Sequence, residues 1–410
     1  MSDPRTTRSA PTITAATALA AVVVFASLVT AVVLHIRYPD ALVTLLPLPD
    51  MRDLHVDFDT FWHSAVALTQ GADIYETPAK LTNLNPPLLT VLLVPFAGLD
   101  ALTAYRIFMV LTAVLVVVSV LAVARELRLG VATTAAVVLA VLVSSPLHGT
   151  LVLGQIYPLL LVALVAGWIA ERRGHPVLAA VCYGVAVALK PSLAPLLLLP
   201  AVQRRWVPLR AGLASAAVAT VIGVLVAGPS SAIEWLTIAL SEGVPDTVDN
   251  ASLPGLAMRF GVPTVLGLVA GLVVLVGTLV WLGRHRDRVD PAGTAPWAVV
   301  AAGLLLSPIA WHNYLLLLVP GVLVLISLGR GALAAALLAV AVVPVSWNAI
   351  WPTDPGPIAE LGSDLGRSLY CAILVAYWLA LLGATPLRRS PAGPAAGGAP
   401  ESADAGAPAG

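Results

Sequence analysis

Charge is what this sequence lacks most. Only 11% of its 410 residues are Asp, Glu, Lys or Arg, against about 25% in a soluble domain. A chain so poor in polar surface does not face water on all sides. The formal net charge of zero gives no electrostatic reason to expect nucleic acid as a partner. Cysteine is nearly absent too. Cys182 and Cys371 lie in or beside apolar runs without metal-ligand spacing or a CxxC pattern, which argues against a disulfide framework and reads as buried thiols. No Gly-rich nucleotide fingerprint, Walker motif or HExxH occurs, and no His/Asp/Glu set has zinc spacing. Neither a metal nor a cofactor is therefore expected.

What is abundant is apolar sequence: 59% of residues are hydrophobic and the mean hydropathy is +0.93. Charge-free runs of Ala, Val, Leu and Gly predict an all-α, polytopic bundle of about 12 transmembrane spans. They fall near 13–36, 104–124, 131–147, 151–170, 177–189, 192–203, 211–227, 263–283, 295–309, 313–328, 331–346 and 368–386. The first, Ile13 to Ile36, is too long for a signal-peptide core and reads as a signal anchor. Around Lys190-Pro191 the pattern allows two short helices meeting at a polar break or one kinked element. Residues 1–12 read as a cytoplasmic tail and 13–389 as the membrane domain; 390–410, rich in Pro, Ala and Gly, reads as a disordered cytoplasmic tail.

With the N-terminus inside, fifteen Lys/Arg fall on the inner segments and seven on the outer ones, as the positive-inside rule requires. The inner loops are short basic clusters such as Glu171-Arg172-Arg173. The outer loops, roughly 37–103, 228–262 and 347–367, carry most of the acidic residues. A cytosolic nucleotide-sugar or ATP site would need an inner domain, and the inner loops are too short to hold one. An activated substrate must then arrive from the membrane side.

Candidate chemistry gathers at outer span ends. In Val56-Asp57-Phe58-Asp59-Thr60-Phe61-Trp62-His63 carboxylates stand beside aromatic rings at the start of a helix expected to lie at the membrane surface and to end at Gly71. Either Asp57 or Asp59 suits a general base on a sugar hydroxyl, and either equally suits a helix N-cap. Gln155 opens a span, and Lys190 separates two apolar runs with no nearby acid, a position for an anion partner or for snorkelling to the interface. His312 in Ser307-Pro308-Ile309-Ala310-Trp311-His312 offers a hydrogen bond to phosphate or sugar. Arg259 offers a phosphate clamp or is an ordinary loop charge.

In order along the chain, these pieces resemble the family 87 glycosyltransferases of the GT-C superfamily, polyprenyl-phosphate-dependent mannosyltransferases and their relatives, frequent in actinobacteria. The matching marks are the Asp-Phe-x-x-aromatic-Trp run from Asp57, Gly71-x-x-Ile74-Tyr75, Asn85-Pro86-Pro87-Leu88, Gly154-Gln155, Lys190-Pro191, Asn250-x-Ser252-Leu253 with Arg259, and Ser307-Pro308-x-x-Trp311-His312. The resemblance covers about 50–380. It implies inverting transfer of a sugar, mannose first and arabinose or another pentose second, from polyprenyl phosphate to a glycolipid or lipoglycan such as a phosphatidylinositol mannoside or lipomannan. Asp57 would be the base, with Asp59 in reserve. Lys190, His312 and Arg259 would hold the donor phosphate without a metal, and Gln155, Asn250 and Trp311 would orient substrate. The chain departs from the family pattern at Asn313, where many relatives carry the motif's His, and at Phe61, where Tyr is common. The contrasting reading is a lipid-linked-sugar transporter, which would place charges in paired broken helices near mid-membrane; here polar residues sit at outer span ends, and no inverted repeat is apparent.

Overall fold

A computed structural model describes residues 55–247, 249–341 and 357–385, the last from 368 onward with its side chains. The expected signal anchor, both tails and most of the third outer loop lie outside the described residues. Within them the chain is helical, and the one β-type contact is an isolated antiparallel bridge between Asn250 and Trp311. The helices in chain order are α1 (Val56–Thr69), α2 (Pro87–Leu93), α3 (Ala101–Glu126), α4 (Val131–Leu142), α5 (Ser145–Leu153), α6 (Tyr157–Arg172), α7 (Pro176–Leu189), α8 (Pro195–Val202), α9 (Trp206–Ala227), α10 (Pro229–Ser241), α11 (Leu253–Arg259), α12 (Thr264–Arg284), α13 (Ala295–Leu306), α14 (Val319–Ser327), α15 (Gly331–Val340) and α16 (Pro357–Gly383).

Three of these, α3, α9 and α12, are long and apolar enough to cross a bilayer singly, and α4 with α5 forms a further apolar stretch bent by 50°. They expose large apolar side chains, such as Val110 on α3 and Leu225 on α9, as a lipid-facing surface would. The remaining apolar helices between 87 and 383 are shorter. Interruptions explain the shortness. Pro191 biases Lys190 away from helical geometry, so Lys190 is extended (φ −145°, ψ 93°) and ends α7 after 14 residues. A 3-10 turn, Pro191–Leu193, then leads into α8. The polar break at Lys190 thus separates two short helices. The expected span at 313–328 likewise begins as a 3-10 segment, His312–Leu318, before α14.

Packing is tightest where side chains are smallest. A Cβ on Gly184 of α7 would collide with the Gly212 carbonyl of α9 and lie 2.8 Å from Ser215 Cβ, so these two backbones touch. At the end of the bundle bearing the short basic loops, ion pairs tie neighbours together: Arg173 to Glu126 at 2.8 Å and Arg205 to Glu171 at 2.6 Å. The opposite end is built from α1, α2, α5, the break at Lys190 and the segments 245–259 and 307–314. All the motif residues named above that fall among the described residues lie there.

Candidate active site

The first turn of α1 is fixed by aromatic packing. His55 stacks on Tyr105 of α3 with ring centroids 3.7 Å apart, and its Nδ1–H donates to the Val152 carbonyl at 2.6 Å. Phe58 packs against Phe108 (5.0 Å), Tyr105 (5.7 Å) and Phe96 (6.2 Å), and the Trp62 indole donates to the carbonyls of Phe96 and Leu99. The aromatic residues of the first motif therefore anchor the helix. His55, not an Asp, occupies the N-cap position. Asp57 is left to point elsewhere: its Oδ2 accepts a hydrogen bond from Gln155 Nε2 at 2.7 Å.

That contact depends on Gly154. It closes α5 in the left-handed region (φ 75°, ψ 43°), and a Cβ there would run into the Cβ of Phe58. Only glycine combines that conformation with that approach. Gly154→Ala is expected to destabilise the protein by about 2–4 kcal/mol, left-handed strain plus the collision, and to pull Gln155 off Asp57. A melting curve in detergent and a rate measurement check this; an unchanged melting temperature would mean the close approach is absent.

Asp59 follows Asp57 by two residues, which at about 100° per residue turns it to the far side of the helix. It is buried there, 3.6 Å from His63 Nε2 one turn on. The structure thus separates the two carboxylates that sequence left as alternatives.

Lys190 reaches the same end through a chain of amides. Its Nζ donates to Asn85 Oδ1 at 3.0 Å. Asn85 in turn donates to Asn83 Oδ1 from both its backbone and its side chain, and Asn83 donates to Ser64 of α1. The Tyr75 hydroxyl donates to the Asn85 carbonyl at 3.0 Å. The Gly71-x-x-Ile74-Tyr75 and Asn-Pro-Pro-Leu motifs are therefore the parts that hold Asn85 against the lysine. Lys190 Nζ also stands 6.0 Å from the Tyr314 ring centroid, at the outer edge of a cation–π contact. Sequence gives Asn85 no role beyond its motif; its pairing with Lys190 is visible only in three dimensions.

The segments 249–251 and 310–312 pair as a short antiparallel bridge: Ala251 N–H donates to the Ala310 carbonyl at 2.7 Å and His312 N–H to the Asp249 carbonyl at 2.8 Å. Asn250 is the rivet. Its Nδ2 donates to the carbonyls of Pro245 and Pro308, and its Oδ1 accepts from Ser252 and from the Ala310 N–H. Both amide hydrogens are thereby engaged by main-chain carbonyls, so Asn250 shapes this loop through its side chain. Arg259 supports the same loop, Nη1 donating to the carbonyls of Thr247 (2.7 Å) and Asn250 (2.8 Å). His312 is buried, with Nε2–H directed at the Ser145 carbonyl (3.3 Å) and its ring 5.5 Å from that of Tyr370. Trp311 is half-buried and takes part through its backbone. Thus Gln155 bonds Asp57 and Lys190 acts on it through its charge, while Asn250, Trp311 and His312 belong to the paired segments 249–251 and 310–312, which Arg259 supports.

Asp249 links the two. It is 7% exposed, and its charge acts on Asp57. The Asp57 carboxyl is pushed up to about 6, chiefly by burial; the Gln155 hydrogen bond and then the Lys190 charge oppose that rise, and Asp249 adds to it. Burial raises the Asp249 carboxyl as well, opposed by Thr247 and by the Arg259 charge. The sequence placed Asp249 among several loop acids without distinguishing it. Among the described residues no three His, Cys, Asp or Glu side chains gather as metal ligands would.

A helical membrane protein with a buried carboxylate, an amide partner and a lysine at one end of its bundle has the apparatus of a group-transfer enzyme. The family model for glycosyltransferase family 87 matches residues 83–308, and the chain belongs to that family; it is a glycosyltransferase. It is 29% identical over 317 residues to a polyprenol-phosphate-mannose-dependent alpha-(1-2)-phosphatidylinositol mannoside mannosyltransferase of Mycobacterium tuberculosis, covering 70% of this chain and 73% of that protein. It is also 29% identical over 265 residues to an alpha-(1->3)-arabinofuranosyltransferase of the same species, covering 61% of this chain and 59% of the relative. Among solved structures, that of ArnT from Cupriavidus metallidurans bound to undecaprenyl phosphate is similar over 86% of this chain and 76% of its own, with a TM-score of 0.43 and 18% identity, a distance at which nothing is carried over to the site.

Proposed function

We propose that this protein is an inverting glycosyltransferase that moves a sugar, mannose as first choice, from a polyprenyl-phosphate carrier to a glycolipid or lipoglycan acceptor, with Asp57 as general base. The observation that carries the reading is the Asp57 carboxylate itself. It is held at the start of α1 by Gln155, within electrostatic range of Lys190, and has a pKa pushed up to about 6. A base poised there is ionised at neutral pH yet basic enough to take a proton. Asp57 accepts the hydrogen of an acceptor hydroxyl as that oxygen bonds to the anomeric carbon. The carbon–oxygen bond to phosphate breaks on the opposite face, and polyprenyl phosphate leaves with the electron pair. Lys190 answers the charge that develops on the leaving oxygen.

Family membership and the two relatives support a lipid-phosphate donor, since the mannosyltransferase is named for one. The arabinofuranosyltransferase likeness keeps a pentose as the second choice of sugar. The charge asymmetry of the loops supports a multi-pass chain of about 12 spans with both termini cytoplasmic and the site extracytoplasmic.

The test is transfer itself. The purified protein in proteoliposomes is supplied with labelled polyprenyl-phosphate mannose or polyprenyl-phosphate arabinose and a phosphatidylinositol-mannoside acceptor. The mannose donor is expected to give labelled glycolipid. Lys190→Met is expected to lower kcat by about 10²-fold, the usual loss when one stabilising donor is removed. Product from the pentose donor alone would exchange the sugar, and full activity of Lys190→Met would remove the lysine from the mechanism.

A further inference from the structure

Two polar groups beside Asp57 have no work in the scheme above. The first is the Asp249 carboxylate. It is buried to all but 7%, and among the described residues it forms no ion pair, only Thr247 lying against it as a side-chain hydrogen-bond partner. Arg259, the cation on the same loop, directs Nη1 to the Thr247 and Asn250 carbonyls instead. A desolvated carboxylate without a paired cation is unfavourable unless hydrogen-bond donors reach it. The second is the Tyr157 hydroxyl at the first residue of α6. Tyr157 is fully buried, its ring 4.4 Å from that of Tyr314, and its oxygen has the Tyr314 hydroxyl as a side-chain neighbour without a well-formed hydrogen bond to it. Native proteins rarely leave a buried oxygen so poorly satisfied, and where one stands beside a reaction centre a ligand or ordered water is the usual further partner. Both groups lie within electrostatic reach of one another and of Asp57.

Their placement is not accidental to the loop. Asp249 precedes Asn250, and its own carbonyl is held by the His312 N–H, so the elaborate riveting of 249–251 onto 310–312 fixes the Asp249 backbone. Tyr157 follows the Gly154-Gln155 break that delivers Gln155 to Asp57. Two separate structural devices thus bring Asp249 and Tyr157 within electrostatic reach of Asp57, with Tyr157 packed on the same Tyr314 ring that Lys190 faces.

We propose that Asp249 and Tyr157 form a hydroxyl-binding subsite, in which the carboxylate accepts hydrogen bonds from a sugar diol and the phenol completes its hydrogen bonding with the same sugar. The inference rests on the transferase reading. Its ligand chemistry is that of a polyol, supplied either by the sugar being transferred or by the terminal sugar of the acceptor. Asp249 is then a specificity-determining residue with a secondary effect on Asp57, because removing its charge removes a like-charge neighbour. The groups that face Asp249 electrically are Asp57, Tyr157, Tyr370 and Arg259.

The experiment measures KM for donor and for acceptor separately, kcat, and the pH profile, in wild type, Asp249→Asn and Tyr157→Phe, with melting temperature alongside. Asp249→Asn is expected to raise one of the two KM values about tenfold or more, the loss expected for a hydrogen bond to a charged group. The other KM stays within twofold, and Tyr157→Phe raises the same KM. Which KM moves identifies the source: a donor effect assigns the subsite to the transferred sugar, an acceptor effect to the acceptor's. The acidic limb of kcat/KM also shifts to lower pH in Asp249→Asn, as Asp57 becomes easier to ionise. Should Asp249→Asn fail to fold, Tyr157→Phe, which removes one oxygen and keeps the ring packing, decides alone. Wild-type transfer with both KM values within twofold in the folded variants overturns the subsite and leaves the transferase reading standing. Absence of transfer by wild type from any polyprenyl-phosphate sugar overturns both.

Discussion

Asp57→Asn is expected to lower sugar transfer by about 10²–10⁴-fold, the range for loss of a general base, while leaving the fold intact or firmer. The side chains are isosteric, and an amide at this position still meets Gln155. What disappears is a charge that burial disfavours. Because the folded-state pKa of Asp57, about 6, lies above its ordinary value of 3.8, the folded protein holds the proton more tightly than the unfolded chain. The sign follows from linkage. Relative to its fully protonated state, the wild type loses stability as pH rises from about 4 through about 6, and the Asn variant does not. The variant should therefore melt higher than wild type at pH 8, with the difference fading towards pH 4. In wild type the rate should fall about tenfold per pH unit below 6, as the base becomes protonated. Asp59→Asn, on the opposite side of α1 beside His63, should leave that acidic limb in place. If instead Asp57→Asn transfers sugar normally and Asp59→Asn does not, the base is Asp59.

Asn250→Ala should be the most damaging substitution outside the catalytic cluster. Truncation leaves the Pro245 and Pro308 carbonyls without their donor and the Ser252 and Ala310 N–H groups without their acceptor. Breaking a buried network of this kind destabilises by about 3–4 kcal/mol. The damage reaches the site through Asp249, because the 249–251 strand would no longer be held against 310–312. The expected signature is a large fall in melting temperature and in folded yield. A substrate-contacting Asn250 would instead leave the melting temperature unchanged and raise a KM, and that result would assign it the orienting role the sequence suggests.

The sequence was most legible where helices are uninterrupted. The runs that became α3, α9 and α12 were found to within a few residues because nothing polar breaks them. Around the site the runs concealed their own divisions. The expected spans at 131–147 and 151–170 are really α4, α5 and α6, split at Ser144 and again at Gly154 to Ile156. Alanine, valine and leucine read alike whether a helix continues or bends, and only the local capping chemistry distinguishes them. The site was legible in the same uneven way. Gln155 and Lys190 stand out because a polar residue interrupting apolar sequence is conspicuous; Gln155 bonds Asp57 directly, and Lys190 acts on it through its charge. Asn250 stands out for its motif, but the sequence does not show its loop partners, one of which, the Pro308 carbonyl, lies 58 residues away. Asp249 was one acid among several, and nothing in its neighbours' identities marks it as the one turned inwards.

The brevity of α7 has a further consequence. Its 14 residues extend about 21 Å at 1.5 Å per residue, against a hydrocarbon core of about 30 Å. In the proposed orientation, with the basic end of the helix at the cytoplasmic surface, Lys190 would stand about 9 Å beneath the opposite headgroups. The reaction would then take place in a recess sunk into the outer leaflet. A lipid-borne sugar phosphate could enter it sideways, its isoprenoid tail still solvated by acyl chains. Lifting that tail into water would cost roughly 0.8 kcal/mol for each methylene exposed, and a sunken lysine makes such extraction unnecessary.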